Sequence, residues 1–395
     1  MRRLPDTILV LGFISFFNDF ASEMIYPLLP VFLSVSLGAG AAVLGVVEGV
    51  AESASSILKL VFGRLSDRLQ KTRPFILGGY GLSGFVRPLI GVAVSWPVVM
   101  AVRFADRVGK GMRTSPRDAL IASAVPLELR GRAYGFHRAM DHAGAVAGPL
   151  AAALLLSAFG MEIRQVFLLA AVPAVLVFLL VVFRIKEPAR VETFNTNGRR
   201  SLSGWKTLDS DYRRLLFALV IFTLGNSTDA FILLRLSHAG VPAALIAVLW
   251  SSHHVVKSVS TYLGGRLSDR LGRRRLIRSG WLLYSLVYIC FAFLPGTTSL
   301  IIVFLVYGVY YGLAEPCEKA WVADLARSGH CGTAFGYYHG VVGLAALPAS
   351  ILFGVIWQTC GMAFAFSAGA MLALAASFLL PAERRGPGSC PEAAV

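Results

Sequence analysis

Ionisable side chains recur inside stretches of this sequence that are otherwise apolar, and they recur at helical spacing. Asn18, Asp19, Ser22 and Glu23 sit together, with Asp19 and Glu23 one turn apart. Glu48, Glu52, Ser55 and Lys59 follow at i, i+4, i+7 and i+11, on one face of a helix. Arg103, Asp106 and Arg107 form a third group, and His137, Arg138, Asp141 and His142 a fourth. Later come Asn226 and Asp229, then His253, His254, Lys257 and Ser258, then Tyr307, Tyr311 and Glu315 on one stripe. An ionisable group in hydrocarbon costs at least about 2.5–3.5 kcal/mol on insertion scales, so a set this large needs a chemical reason.

Two chemistries compete. Acids partly stripped of water and set among opposite charges bind and release protons under working conditions, and Asp19, Glu23, Glu52 and Asp141 are the candidates. His253 and His254 can carry protons or ligate metal. The other chemistry is structural, with ion pairs that hold helices together; Arg138 with a carboxylate, or Arg103 with Asp106 at i, i+3, would serve. Lys59 is expected to snorkel to a membrane rim. Arg87, beside Pro88, is expected to be structural, with no partner that the sequence identifies.

The elements that must position these groups are long apolar runs. The chain has 395 residues, 56% hydrophobic and 15% charged, against about 25% charged in soluble domains. Twelve spans match the roughly 20 residues that cross a bilayer as a helix: 7–34, 40–62, 75–95, 97–115, 133–157, 163–184, 214–236, 241–264, 278–295, 299–317, 333–357 and 361–381. The first follows Arg2 and Arg3 and is read as an uncleaved helix rather than a signal peptide. The net charge of +15 lies mainly in alternate connections. Only seven of the 37 Lys and Arg fall elsewhere, namely Lys59, Arg87, Arg103, Arg138, Arg164, Arg235 and Lys257. This asymmetry predicts a multi-pass membrane protein with both termini cytoplasmic. It disfavours a nucleic-acid partner and leaves the lipid bilayer as the surroundings. The five cysteines have no metal-ligand spacing. No hydrolase triad, metal-hydrolase motif or phosphate loop is present, so neither an enzyme nor a cofactor is expected.

The sequence repeats itself. GRLSDRL occurs at 63–69 and at 265–271, an offset of 202. Gly131-Arg-Ala-Tyr-Gly-Phe matches Gly332-Thr-Ala-Phe-Gly-Tyr at nearly the same offset. The simplest account is an all-α integral membrane fold of twelve transmembrane helices in two pseudo-symmetric six-helix bundles, with a site near mid-membrane. The expected bundles are 1–184 and 213–382, joined by a polar linker at 185–212 and followed by a cytoplasmic tail at 383–395. By the repeat, Glu52 corresponds to His254, so acids concentrate in the first half and His with Lys257 in the second. Such a set suits a borderline divalent ion, and equally a zwitterion or an organic chelate.

These residues resemble the major facilitator superfamily over essentially the whole chain. The family signature G-x-L-x-D-R-x-G-[RK]-[RK] fits Gly265, Leu267, Asp269, Arg270, Gly272, Arg273 and Arg274. The first copy keeps Gly63, Leu65, Asp67 and Arg68 but has Gln70 and Thr72 in place of the Gly and a base. The resemblance implies a cytoplasmic loop that stabilises one closed state, with Asp67 and Asp269 as latches and Arg68 and Arg270 as partners. The string Arg103-Phe-Ala-Asp106-Arg107-Val-Gly109 is similar to a family motif in which the position of Arg103 is implicated in proton coupling; Asp106 and Arg107 depart from it. Gly144-x-x-x-Gly148-Pro149 is similar to the start of a motif of proton-exchanging exporters, though small-xxx-small spacing also serves plain helix packing. The longer string RFADRVGKGMRTSPRDALIA resembles a prokaryotic branch that includes nickel and other metal-resistance exporters.

The implied function is proton-coupled efflux of a small solute or ion by alternating access, by a monomer exchanging protons. The substrate could be a divalent metal or its chelate. Alternatives are a proton-coupled uptake symporter, a drug or organic-solute exporter, a lipid flippase or a non-transporting sensor. One gate is also expected from the repeat. Arg117 and Asp118 align with Glu318 and Lys319 with signs exchanged, as if Arg117 met Glu318 and Asp118 met Lys319.

Overall fold

The computed structural model describes residues 5–69, 71–125, 130–185, 209–325 and 331–382. Most of the expected linker 185–212 and the tail 383–395 lie outside the described residues, as do the side chains of Gly63, Asp67, Arg68, Gly265, Asp269 and Arg270. The helices of the described residues group into twelve segments. The first six are α1 (Asp6–Ser36), α2 (Ala41–Leu69), α3 (Arg73–Val92), α4 (Trp96–Ser123), α5 (Arg130–Ser157) and α6 (Ile163–Arg184). The second six are α7 (Ser210–His238), α8 (Ala243–Leu271), α9 (Arg273–Phe293), α10 (Thr297–Leu325), α11 (Cys331–Cys360) and α12 (Met362–Leu379). Ten are long and apolar enough to cross a membrane. The other two, α4 and α8, are also long but carry polar sets, Arg103 to Asp118 and His253 to Lys257.

The GRLSDRL copies differ from the loop expected of them. Each forms the last turns of a helix, α2 to Leu69 and α8 to Leu271. The heptapeptide has no proline and no interior glycine, so nothing in it stops a helix. Gly272, at φ +92, does stop α8, because only glycine takes that conformation without strain.

The described chain folds into two compact units, 5–185 with 229–254 and 209–228 with 255–382. In the first, α1 packs along α5, α2 along α4, and α3 on α4 and α6. Glycines permit the close approaches. A Cβ at Gly144 would press on the Phe16 carbonyl, one at Gly148 on the Phe20 carbonyl, and one at Gly79 would lie 2.6 Å from the Gly109 carbonyl oxygen. Ile8, Leu11, Ile14, Ile76, Tyr80, Ile121 and Val181 form an apolar core beneath them.

The second unit repeats these pairings. α7 packs on α11 and α12, and α9 on α10 and α12, while Gly264 of α8 abuts Gly312 of α10. α7 is broken at Asn226–Thr228, which leaves carbonyls and side chains to satisfy. Tyrosines do so: Tyr284 donates to the Gly225 carbonyl at 3.2 Å, Asn226 Nδ2 donates to Tyr310 at 3.2 Å, and Ser227 shares a hydrogen bond of 3.1 Å with Tyr288. Asp229 opens the helical piece that follows the break.

Candidate functional site

The first unit sorts its charges into two groups. One is a buried seam of ion pairs. Arg103 on α4 donates through Nη2 and Nε to Glu48 Oε1 on α2, at 2.6 and 3.1 Å. Its Nη1 lies 4.0 Å from Asp106 Oδ2. Asp106 is held more tightly by Arg87 of α3, whose Nη2 and Nε reach Oδ1 at 2.8 and 3.2 Å, and Arg87 also donates to the Asn18 carbonyl of α1 at 3.1 Å. All four charged residues are at most 5% exposed. Removing one member of such a pair strands a charge at a cost of about 3–5 kcal/mol, so Glu48, Arg87, Arg103 and Asp106 pin α2, α3 and α4 together. The expected Arg103–Asp106 pair is thus the weakest contact in the seam, and Arg87, for which the sequence identifies no partner, is a central member. Arg113 extends the seam, stacking on Tyr80 at 4.6 Å and donating to Ser83 at 2.7 Å.

The second group is not locked by arginine forks. Asp141 of α5 accepts from Ser15 Oγ of α1, across the face where Gly144 and Gly148 let α5 touch α1. His137 Nδ1 lies 3.7 Å from Asp141, and Arg138, mostly in solvent, lies 3.5 Å from it. Asp19 sits within electrostatic reach of Asp141 and accepts from Asn18 Nδ2 at 2.9 Å. Glu23 accepts from Trp250 Nε1 at 2.7 Å, with His254 Nε2 at 3.9 Å. His253 stacks on Trp250 with ring centroids 5.5 Å apart, and the Tyr26 ring lies 5.2 Å from that of Trp250. Glu52 and His142 are exposed. Asp19, Glu23 and Asp141 therefore share a wall of α1 and α5 that neutral donors orient and water reaches in part.

In the second unit, Lys257 Nζ sits 3.6 Å from the centre of the Tyr311 ring, a cation–π contact. Tyr307 and Tyr311 share a hydrogen bond of 3.3 Å. Glu318 is buried and accepts from Trp281 Nε1 at 3.0 Å and Tyr338 at 3.3 Å, while Lys319 pairs with Glu315 at 2.8 Å. Arg117 pairs with its neighbour Asp118 at 2.8 Å. Each of the four charges expected to form a gate thus has a partner within its own unit. Pro149 lies inside α5 directly after the Gly148 contact. Among the described residues no three His, Cys, Asp or Glu side chains gather as a metal site.

Sequence reasoning missed Ser15, Trp250 and Trp281. Ser15 is one turn before Asp19, and Trp250 one turn before His253 and His254, so helical phase carried a signal. Trp281 has none, because no candidate ionisable residue lies one turn from it along its own helix.

The Major Facilitator Superfamily pattern matches residues 11–350. An uncharacterized MFS-type transporter of Methanocaldococcus jannaschii is 33% identical over 385 residues, covering 96% of this chain and 95% of that one. The multi-drug resistance efflux pump PmrA of Streptococcus pneumoniae is 25% identical over 386 residues, covering 92% and 94%. In fold, the chain is similar to a bacterial homolog of the human lysosomal transporter Spinster, with a TM-score of 0.73 at 16% identity, covering 95% and 94%. Sequence signature, paired helical repeats and full-length likeness agree: the chain belongs to the Major Facilitator Superfamily and is a multi-pass membrane transporter rather than an enzyme.

Proposed function

We propose that this transporter exports a small organic solute in exchange for protons, by alternating access. The observation that carries the reading is Asp141, a carboxylate on the α1–α5 contact held by Ser15 and close to Asp19. Two acids near one another, without an arginine fork on either, suit reversible proton binding. Because Ser15 and Asp141 sit on different helices across the glycine seam, a proton on Asp141 changes the hydrogen bond that joins α1 to α5. Arg103, expected to set the coupling acid, instead faces Glu48 and acts as scaffold. Export is favoured by similarity to a protein named as an efflux pump. An organic cargo is favoured over a bare divalent metal because Arg107, Lys110 and Arg138 accompany the acids and would repel a dication.

In this reading the chain is a monomer of a prokaryotic cell membrane. Its halves are 1–184 and 213–382, joined by a cytoplasmic linker, with both termini in the cytoplasm. Proteoliposomes holding the purified protein, tested with organic cations, anions and zwitterions, should accumulate solute only when a pH gradient is imposed. Asp141→Asn should abolish the gradient-driven component and retain solute–solute exchange. Flux indifferent to the gradient, or an Asp141→Asn protein still driven by it, would remove the proposal.

A further inference from the structure

Arg107 is the arginine that the ion-pair seam leaves over. Glu48 is taken by Arg103 and Asp106 by Arg87. Arg107 is 7% exposed, its Nε hydrogen has no acceptor, and it forms no ion pair with a described residue. A buried cation in that position is costly unless something pairs with it. Lys110, three residues on, shares its stripe and likewise has no ion pair among the described residues.

α4 packs on two sides. Gly109 and Arg113 turn to α3, where they meet Ser83, and Gly111 and Ser115 turn to α2, where they meet Leu58 and the Lys59 carbonyl. Arg107 lies one turn after Arg103 and one turn before Gly111, on the side of α4 that meets α2, with Lys110 next to it on the helix surface. The acid that acts most strongly on Arg107 is Asp106, which Arg87 already holds; beyond it, Glu52, Glu48, Glu23 and Asp19 lie within the field of Arg107 or Lys110. None is within ion-pair distance of them, Glu52 is exposed, and Glu23 is engaged by Trp250. The arrangement has a cationic end and an acidic edge.

We propose that Arg107 and Lys110 anchor a carboxylate of the transported solute, and that Glu52 receives an ammonium group when the solute carries one, so that the preferred cargo is a small organic zwitterion. A guanidinium fork matches a carboxylate in plane and spacing, and a nearby ammonium adds charge without competing for that geometry. The transport part of this inference rests on the exporter reading; the binding part does not.

The test therefore measures binding without any gradient. Purified full-length protein is titrated with three probes on one scaffold: phenylalanine, 3-phenylpropionate and phenethylamine. Phenylalanine should bind most tightly and phenethylamine most weakly. Arg107→Gln should weaken both carboxylate probes by at least about tenfold, Arg107→Lys should weaken them less, and Glu52→Gln should weaken phenylalanine alone. A melting temperature for Arg107→Gln no lower than that of the parent separates this role from a structural one, since no protein partner is lost. Phenethylamine binding best, absence of carboxylate binding, or equal carboxylate binding by Arg107→Gln would overturn the proposal. Loss of gradient-driven flux in Asp141→Asn with carboxylate binding intact would leave it standing, so the two readings fail separately.

Discussion

Asp106→Asn is the sharpest perturbation of the scaffold. The carboxylate stands between Arg87, at 2.8 and 3.2 Å, and Arg103, at 4.0 Å, in a site where all three are at most 5% exposed. Asparagine keeps the volume and one acceptor oxygen but deletes the charge. Arg87 then keeps only neutral acceptors, the new amide oxygen and the Asn18 carbonyl, and loses its counter-charge, while Arg103 keeps Glu48. Breaking a buried pair in this way costs about 3–5 kcal/mol, most of it the stranded guanidinium. Replacing both charged partners with neutral, hydrogen-bonding ones should cost much less, because no ion is then left in low dielectric. The assay is a double-mutant cycle of Arg87→Gln and Asp106→Asn, read by reversible unfolding in mixed micelles. The double variant should recover more than half of the summed losses, giving a coupling of at least about 3 kcal/mol. Additive losses, within about 0.5 kcal/mol, would show that Arg87 and Asp106 do not act as a pair and that the seam is misread.

Three further outcomes follow from particular contacts. Gly148→Val should sharply lower the yield of folded protein, because the added side chain would enter the Phe20 carbonyl. Gly340→Ala in α11, where nothing lies within 4 Å, should be tolerated; a size-exclusion profile distinguishes them. Tyr288→Phe and Tyr310→Phe should each lower stability by about 1 kcal/mol, since each removes one hydrogen bond from the α7 break, and unfolding titrations measure it. Trp281→Phe should destabilise the second unit by more than either, because it strips a donor from the buried Glu318 carboxylate. The added change Glu318→Gln should recover part of that loss in the same assay.

Helical phase was legible because it is local. Twelve apolar runs, the duplicated GRLSDRL, and the i, i+4 stacking of Asp19 with Glu23 follow from residue order alone. So does the glycine spacing that lets α5 approach α1, because small residues at Gly144 and Gly148 leave few other uses for that face. One local inference failed at its edge: GRLSDRL reads as a loop by position beyond an apolar run, yet its residues favour helix, and the chain stays helical until Gly272.

Partner choice was not legible, because it depends on which helices touch. Arg103 has an acid three residues away, but its nearest acid in space is Glu48 on α2. Arg87 carries no sequence signal for Asp106 of α4, and Asp141 none for Ser15 of α1. Composition could count arginines and acids but not say which would be left over. That required packing: once α2, α3 and α4 close around Glu48 and Asp106, two guanidinia are satisfied and Arg107 is the one that remains. The sequence by itself determined a duplicated helical membrane transporter with charges in its spans. Only the tertiary structure decided which charges hold the helices together and which stay outside that network, because the division is set by distances between helices rather than along them.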